Sequence, residues 1–386
     1  MKVVGFAGTA KNTGKTTALT AFLNAAPPHQ ELVLTSIGFD GEEIDNLSGL
    51  PKPRVAVRRG VWVATARRCL QSSEVTWEQV QETTIATALG PVVMARAVSD
   101  GRVVLAGPPH AAGLEELRRL VAPGPPPPVP GLGHVAVGPA PVSGLLLVDG
   151  AFSRLSPLGR ADGLVLCTGA ARAADPGRIA AEAAAVWRTL SLSRLAPMSK
   201  RPPGERPVAG LFGEDQARQV VAVLQRGGCP RIDGLVTVSG LAHLQRLLRN
   251  MASARGHGEQ ARPPGRAILF RDPVQLLSAG EPTGVLRELD LMRAAGVESR
   301  VTGGPLLLAV CVNPFYPVRL PSGHFQAAFI DAELLRHTVA EALGQAATAA
   351  NTPGMVPPVL DVRREGGATL WRAVVKQLGC STTALA

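Results

Sequence analysis

One stretch near the start of the chain, GTAKNTGKTT at residues 8–17, constrains the fold more than any other. It follows a short apolar run, KVVGFAG. It precedes TTALTAFLNAA, whose apolar residues recur at helical spacing until APP stops them. A second apolar run, ELVLTSIG, comes next. Strand, glycine-containing turn, helix and strand in this order make the βαβ unit of a parallel sheet. At such a turn the backbone N–H groups and the helix N-terminus converge on one point and favour an anion there.

The spacing departs in one respect from the usual phosphate loop, G-x-x-x-x-G-K-[ST]. Thr9 holds the first glycine position, and Gly8 precedes it. The nucleotide-binding residues expected are Gly8, Thr9, Ala10, Lys11, Asn12, Thr13, Gly14, Lys15, Thr16 and Thr17. Gly14 permits close backbone approach, Lys15 reaches the β and γ phosphates, and Thr16 binds Mg²⁺. Basic residues elsewhere are nearly all arginine, yet Lys11, Lys15 and Lys52 fall early in the chain. A compact ammonium fits between phosphate oxygens where a planar guanidinium does not. No N-K-x-D is present, so guanine has no support and ATP is the default nucleotide.

Magnesium needs carboxylates near the loop. Asp149 closes the apolar run LLLVDG, and Asp40 lies just past the second strand in SIGFDGEEID. Thr16, Asp40 and Asp149 are the expected metal ligands, and Lys15 and Asp40 the expected catalytic residues. Glu42, Glu43 and Asp45 read as solvated loop charges, with Glu42 able to substitute for Asp40. Asn313, at the end of PLLLAVCVN, reads as a turn cap before Pro314.

Further along, RVAVRRGVWVATA alternates and breaks at Gly60, which predicts a pair of antiparallel strands. VVMARAVSDGRVVLAGP flanks Asp100-Gly101, the residue types of a tight primed turn, and predicts a hairpin. Residues 54–109 are therefore expected to form an antiparallel β-hairpin insertion. APGPPPPVPGLG cannot pack as helix or central strand, so residues 122–133 are expected to be a Pro-rich loop. GLLLVDGA and GLVLCTGA resume buried strands, and DPGRIAAEAAAVWRTL is a helix opened by Asp-Pro. After APMSKRPPGERP, strands and helices alternate through VAGLF, EDQARQVVAVLQ, GLVTVSG, LAHLQRLLRNM and AILF. PLLLAVCV, a helix near DAELLRHTVAEAL, and PPVLDV follow. The expected fold is α/β. A nucleotide-binding domain with a mostly parallel sheet spans 1–200. A second α/β unit spans 207–386, either separate or packed onto the same sheet.

Composition removes several classes. Hydrophobic residues at 46% argue against disorder throughout. No apolar run approaches a membrane span, and the start reads as a strand and not a signal peptide, so a cytoplasmic protein is expected. The five cysteines are scattered with no C-x-x-C, and the histidines are dispersed, so neither a metal cluster nor a disulfide framework is expected. The net charge of +10 is spread singly along helices without interleaved aromatics, which gives nucleic acid little support as a partner.

The leading Gly8-Thr9 with one extra residue before Gly14-Lys15-Thr16 resembles the loop of dethiobiotin synthetase and its relatives in the SIMIBI branch of P-loop NTPases. Ala10 stands where dimeric ATPases with a deviant loop would place a lysine, and Lys11 is one position off. VDGA is similar to the EGAG turn of dethiobiotin synthetase, whose acid binds magnesium. The branch also implies that an acid at Asp40 binds Mg²⁺ or orients the attacking group. An asparagine at Asn313 would read adenine there, as an alternative to the turn cap. GTAKNTGKTT, TSIGFDGEEID, PKPRVAV, ATA, ARAVSDGRVVLAGP and LLLVDGAFSR together resemble a reactivase subunit of the adenosylcobalamin-dependent lysine 5,6-aminomutase. The resemblance covers residues 1 to 155, with weaker echoes in VNPF and PVLDV. It implies an ATPase that remodels a protein. Its implied partners are a second reactivase subunit and the cobalamin mutase, and residues 54–109 offer a docking edge or merely cap the sheet. Two alternatives stay open. One is a dethiobiotin synthetase-like ligase or kinase with an acceptor pocket beside Lys11 and Lys52. The other is a nucleic-acid-stimulated ATPase, which the charge alone suggests.

Overall fold

The computed structural model describes residues 1–38, 54–120, 144–195, 204–253, 266–349 and 356–379. Asp40, Glu42, Glu43, Asp45, Lys52 and the Pro-rich stretch at 122–133 lie outside the described residues.

β1 (Lys2–Gly8) leads through the loop into α1 (Lys15–Ala25) and back to β2 (Glu31–Ser36). Then come β3 (Val55–Val57), β4 (Trp62–Ala66), α2 (Arg67–Gln71), β5 (Trp77–Thr87), β6 (Gly90–Ala97), β7 (Gly101–Val103) and α3 (Ala111–Leu120). β8 (Gly144–Ala151) and β9 (Gly163–Gly169) lead to α4 (Pro176–Leu190). A separate run follows: β10 (Glu205–Val208), α5 (Glu214–Gln225), β11 (Cys229–Ile232), α6 (Val238–Ser253), β12 (Ala267–Phe270), α7 (Pro273–Leu277), α8 (Pro282–Ala294) and β13 (Glu298–Val301). The chain ends with β14 (Leu306–Asn313), β15 (Phe315–Arg319), β16 (Phe325–Phe329), α9 (Ala332–Ala349), β17 (Val359–Leu360), α10 (Val362–Glu365) and α11 (Gly367–Gln377).

The fold is mixed α/β. A nine-stranded sheet has the order β17-β14-β9-β1-β8-β2-β4-β6-β5. Every neighbouring pair from β17 to β4 is parallel, and β6 and β5 add an antiparallel edge. Residues of β1 alternate between two cores, as the strand period requires. Val3 and Ala7 pack with α4 and α9, whereas Val4 and Phe6 pack with α1 and α11. Phe22 of α1 sits between Phe6 and Trp371, with ring centroids 5.5 and 4.7 Å apart. Burying a ring of this kind is worth about 1.5–3 kcal/mol. α4 begins where its sequence says: Asp175 accepts from Gly177 N at 2.9 Å, and Pro176 occupies the first turn.

The second sheet, β10-β11-β12-β13, is parallel and four-stranded. Its helices α5, α6, α7 and α8 all share one core with Val208, Ile232 and Phe270. The opposite face carries ion pairs, Arg231 with Glu205 and Asp233, and Arg300 with Glu298. The two units are joined through α4 and α8, where Arg188 makes a two-pronged contact with Asp290 at 2.8 and 2.6 Å.

Three expectations are corrected. First, the chain does not divide once near residue 207: β14 and β17 hydrogen-bond into the first sheet, so the second unit is an insertion between α4 and β14. The apolar run of β14 needs burial on both faces, which only the central position beside β9 supplies. Second, β3 and β4 do not pair with each other. β3 pairs β7, while β4 joins β2 and β6. Asp100-Gly101 is accordingly no hairpin turn. Asp100 accepts from Arg59 N at 2.8 Å, and Gly101 lies where the Glu74 carbonyl would stand 2.4 Å from any Cβ. The hairpin of this region is β5–β6, closed by Thr87 Oγ1 donating to Gly90 O at 2.7 Å. Third, GLVTVSG is not a strand. The strand is Cys229–Ile232, and α6 opens at Val238.

The outer edge β5 is broken by two register shifts. At Thr84 the backbone N–H is taken by Glu116 of α3 at 2.8 Å. Bulges and a side chain laid on the edge are devices that discourage strand addition. Among the described residues no helix is long and apolar enough to cross a membrane.

Candidate functional site

The connections leaving β1 and β9 go to opposite faces of the sheet, α1 into one core and α4 into the other. Neighbouring strands whose connections diverge open a crevice beyond their C-terminal ends, and ligands of open α/β sheets bind there. A cavity of about 1290 Å³ occupies this place. Ala10, Lys11, Asn12, Thr13, Gly14, Lys15, Thr16 and Thr17 line it, as do Asp149 and Asn313.

The loop is built by its own hydrogen bonds. Gly8 ends β1. Thr9 N donates to Cys167 O at 3.0 Å, and Thr9 Oγ1 to Thr168 Oγ1 at 3.0 Å, which ties the loop to the end of β9. Thr13 Oγ1 donates to Ala10 O at 2.9 Å. Two residues are left-handed, Asn12 with φ 63° and Gly14 with φ 85°. Asparagine and glycine are the residue types that adopt this conformation at least cost. The Asn313 side chain pins the loop from outside, its Nδ2 donating to Asn12 O at 2.8 Å.

α1 opens directly from Gly14, with no side-chain cap and no acid in its first turn. Its first N–H groups and the positive end of its dipole therefore face the cavity unneutralised by the chain. Lys15 stands in that first turn, and its Nζ lies 2.5 Å from Asp149 Oδ1. Register puts Asp149 beside Phe6 of β1 and Ser36 of β2, in the middle of the sheet. Its Oδ1 is buried and rests against the Lys15 ammonium as a close ion pair. A buried carboxylate oxygen supported by an ion pair is costly to desolvate and calls for a functional explanation. Thr16 and Asp149 share the cavity, and a hydroxyl with one carboxylate is the donor set Mg²⁺ takes when phosphates and water fill the rest. The two groups therefore fit the ion. Among the described residues no group of three or more His, Cys, Asp or Glu could hold a metal without such a ligand.

The cavity thus gathers eight of the ten loop residues, Ala10 to Thr17, with Asp149; Gly8 and Thr9 lie at the base of the loop outside its lining, and Asp40 lies outside the described residues. Asn313 caps as expected, its Oδ1 accepting from Phe315 N at 3.3 Å. Both ends of that amide are engaged, one on the loop and one on the turn. Sequence reading missed Thr168, Phe315 and Phe329. Thr168 sits in an apolar run whose position beside the loop depends on strand order, and the phenylalanines belong to a hairpin whose turn signal, Pro321-Ser322-Gly323 with Gly323 at φ 83°, the sequence reading passed over.

Cys167 and Cys311 are register neighbours on β9 and β14. A hydrogen bond that Cys311 donates to Cys167, and then burial, push the Cys311 thiol well up. Burial also raises Cys69, at the far side of the cavity. Thiols held in this state are poor nucleophiles and serve as packing. The comparisons of the chain with protein-family models, with curated proteins and with solved structures found no match.

Proposed function

We propose that the chain is a P-loop nucleoside triphosphatase that binds Mg-ATP at residues 8–17. The observation that carries this reading is the Lys15 ammonium held 2.5 Å from the buried, otherwise unsatisfied Asp149, at the open end of α1. The N–H groups of α1 would receive phosphate oxygens, and Lys15 would bring its charge to the β and γ groups. Thr16 and Asp149, with Asp40, would hold Mg²⁺, which supplies neutralisation of the charge on the transferring phosphoryl. Asp149 has a second role, to fix the Lys15 ammonium at the loop.

The work done with the nucleotide follows from the resemblance: reactivation of an adenosylcobalamin-dependent aminomutase, with a second reactivase subunit as partner. Such a mutase traps damaged cofactor. A partner whose affinity differs between ATP and ADP states can bias its opening. The test uses aminomutase inactivated by turnover, the second subunit, ATP, Mg²⁺ and adenosylcobalamin. Activity should return with this protein and stay lost with Lys15→Ala. Equal recovery with the variant defeats the proposal.

One observation favours a second reading, a dethiobiotin synthetase-like ligase or kinase. The cavity, about 1290 Å³, runs past Lys15 and Asp149 to Arg68, Cys69 and Leu105. That exceeds the 300–1,000 Å³ of an ordinary single-ligand pocket, and leaves space for an acceptor beside the nucleotide. Phosphate transfer to a small carboxylate, with ATP consumed only when the acceptor is present, would establish this reading.

A further inference from the structure

We propose that the base of the nucleotide is held by the rings of Phe315 and Phe329 and is not read by Asn313, so that the site accepts ATP and GTP alike. This rests on the nucleotide reading above and deepens it. The Asn313 amide, the obvious group for an adenine edge, already makes one hydrogen bond at each end, to Asn12 O and from Phe315 N, and these fix its orientation on the loop and the turn. Asp361, at the same end of the cavity, caps α10 by accepting from Arg363 N at 3.1 Å. What remains at this end is the apolar group Phe315, Ala327, Phe329 and Val362, with Arg363 beside it. The cavity continues from Gly14 past Asn313 to Phe315, Ala327 and Phe329. Phe315 begins β15 two residues beyond Asn313, so the platform starts about 6–7 Å along an extended chain from the loop.

The two rings form a cross-strand pair, β15 against β16, meeting edge to face with centroids 5.7 Å apart. Phe329 is 60% exposed. Single exposed apolar side chains are ordinary on any surface. Here, however, the ring lines the cavity that holds the phosphate loop, on a two-stranded ribbon that has little stability to spare. An aromatic face grips any base by stacking, because every base has a π-face.

The test is calorimetry in Mg²⁺ with three probes: ATP, GTP and inorganic tripolyphosphate. The wild-type protein should bind ATP and GTP within about threefold of each other, as stacking without edge readout implies. Phe329→Ala should weaken both nucleotides by about tenfold, the loss of one base–aromatic stack, and leave tripolyphosphate unchanged. Phe329→Trp should keep or improve nucleotide affinity. Phe212→Ala, an exposed ring on the inserted unit, should change nothing. The proposal is overturned if Phe329→Ala binds ATP as tightly as wild type. It is equally overturned if tripolyphosphate binding falls in step, or if wild type prefers ATP over GTP by more than about thirtyfold, a factor that needs edge readout. Should wild type bind neither nucleotide nor tripolyphosphate, the loop reading fails with it, an outcome distinct from failure of the platform alone.

Discussion

The two larger sheets of this chain each place an aspartate near the C-terminal end of a parallel strand, and the two aspartates live differently. Asp272 follows β12 in the inserted unit and is buried. Its Oδ1 accepts from Gln275 N at 2.8 Å, capping α7, and its Oδ2 accepts from Arg271 Nε at 2.7 Å. The described helices of that unit share one core, so among the described residues its neighbouring strands do not send helices to opposite faces. Asp149 lies two residues before the end of β8, one strand from the place where α1 and α4 part company. Its Oδ1 is buried with only a lysine charge for company. The same residue type at the same kind of strand end is structural where its oxygens cap a helix, and held in reserve where a lysine charge meets them. Topology decides which.

The comparison breaks first at Lys15. Lys15→Ala should lower Mg-ATP affinity by about a hundredfold, the loss of a charge-assisted phosphate contact at 1.4 kcal/mol per factor of ten. The fold should survive at some cost in stability, because Asp149 loses its ion-pair partner but lines the cavity, where water can reach the carboxylate. Calorimetry together with circular dichroism checks both halves. Unchanged affinity would remove the loop from the site.

Asp149→Asn comes next. It should cut Mg²⁺-dependent hydrolysis by about tenfold or more. Thermal stability should stay level or rise, since a buried charge at a functional site is commonly a stability cost. A variant that loses stability and keeps hydrolysis would make Asp149 another Asp272.

The site was more legible in the sequence than the fold around it. Loop, helix and Asp149 are local: a strand, a turn of fixed spacing and an apolar run closing on an acid. Strand partners are not local. Asp100-Gly101 carries turn chemistry, yet Gly101 is there to let Glu74 pass, while the true β5–β6 hairpin turns at Ala88-Leu89 with no such signal. The return of β14 and β17 to the first sheet is a long-range pairing across a whole inserted unit, which no periodicity records. Cys229–Ile232 escaped because Pro230 and Arg231 interrupt any apolar pattern, although its pairs with β10 and β12 make it a central strand.

Asp272→Ala gives the reciprocal case in the inserted unit. Loss of the α7 cap should cost about 1–2 kcal/mol of stability and leave nucleotide affinity unchanged. Chemical denaturation alongside ATP titration measures both. A fall in ATP affinity would mean that the inserted unit is coupled to the loop through α4, and that the two regions are not independent.

The smallest effect separates two roles for one residue. Asn313 ends β14 beside the loop, where its Nδ2 donates to Asn12 O at 2.8 Å and its Oδ1 accepts from Phe315 N at 3.3 Å. If it pins the loop, Asn313→Ala removes a hydrogen bond worth about 1 kcal/mol, a loss of roughly fivefold in affinity. That loss should be the same for ATP, GTP and tripolyphosphate, since all three use the loop. If instead the amide reads adenine, ATP alone should weaken, and tripolyphosphate should bind as before. A loss confined to ATP would also reinstate edge readout at the end of the cavity assigned to Phe315 and Phe329. An equal loss across the three probes leaves Asn313 with the Thr9 bonds to Cys167 and Thr168 as part of the framework that shapes the loop, the arrangement that Asp272 shows in full in the other sheet.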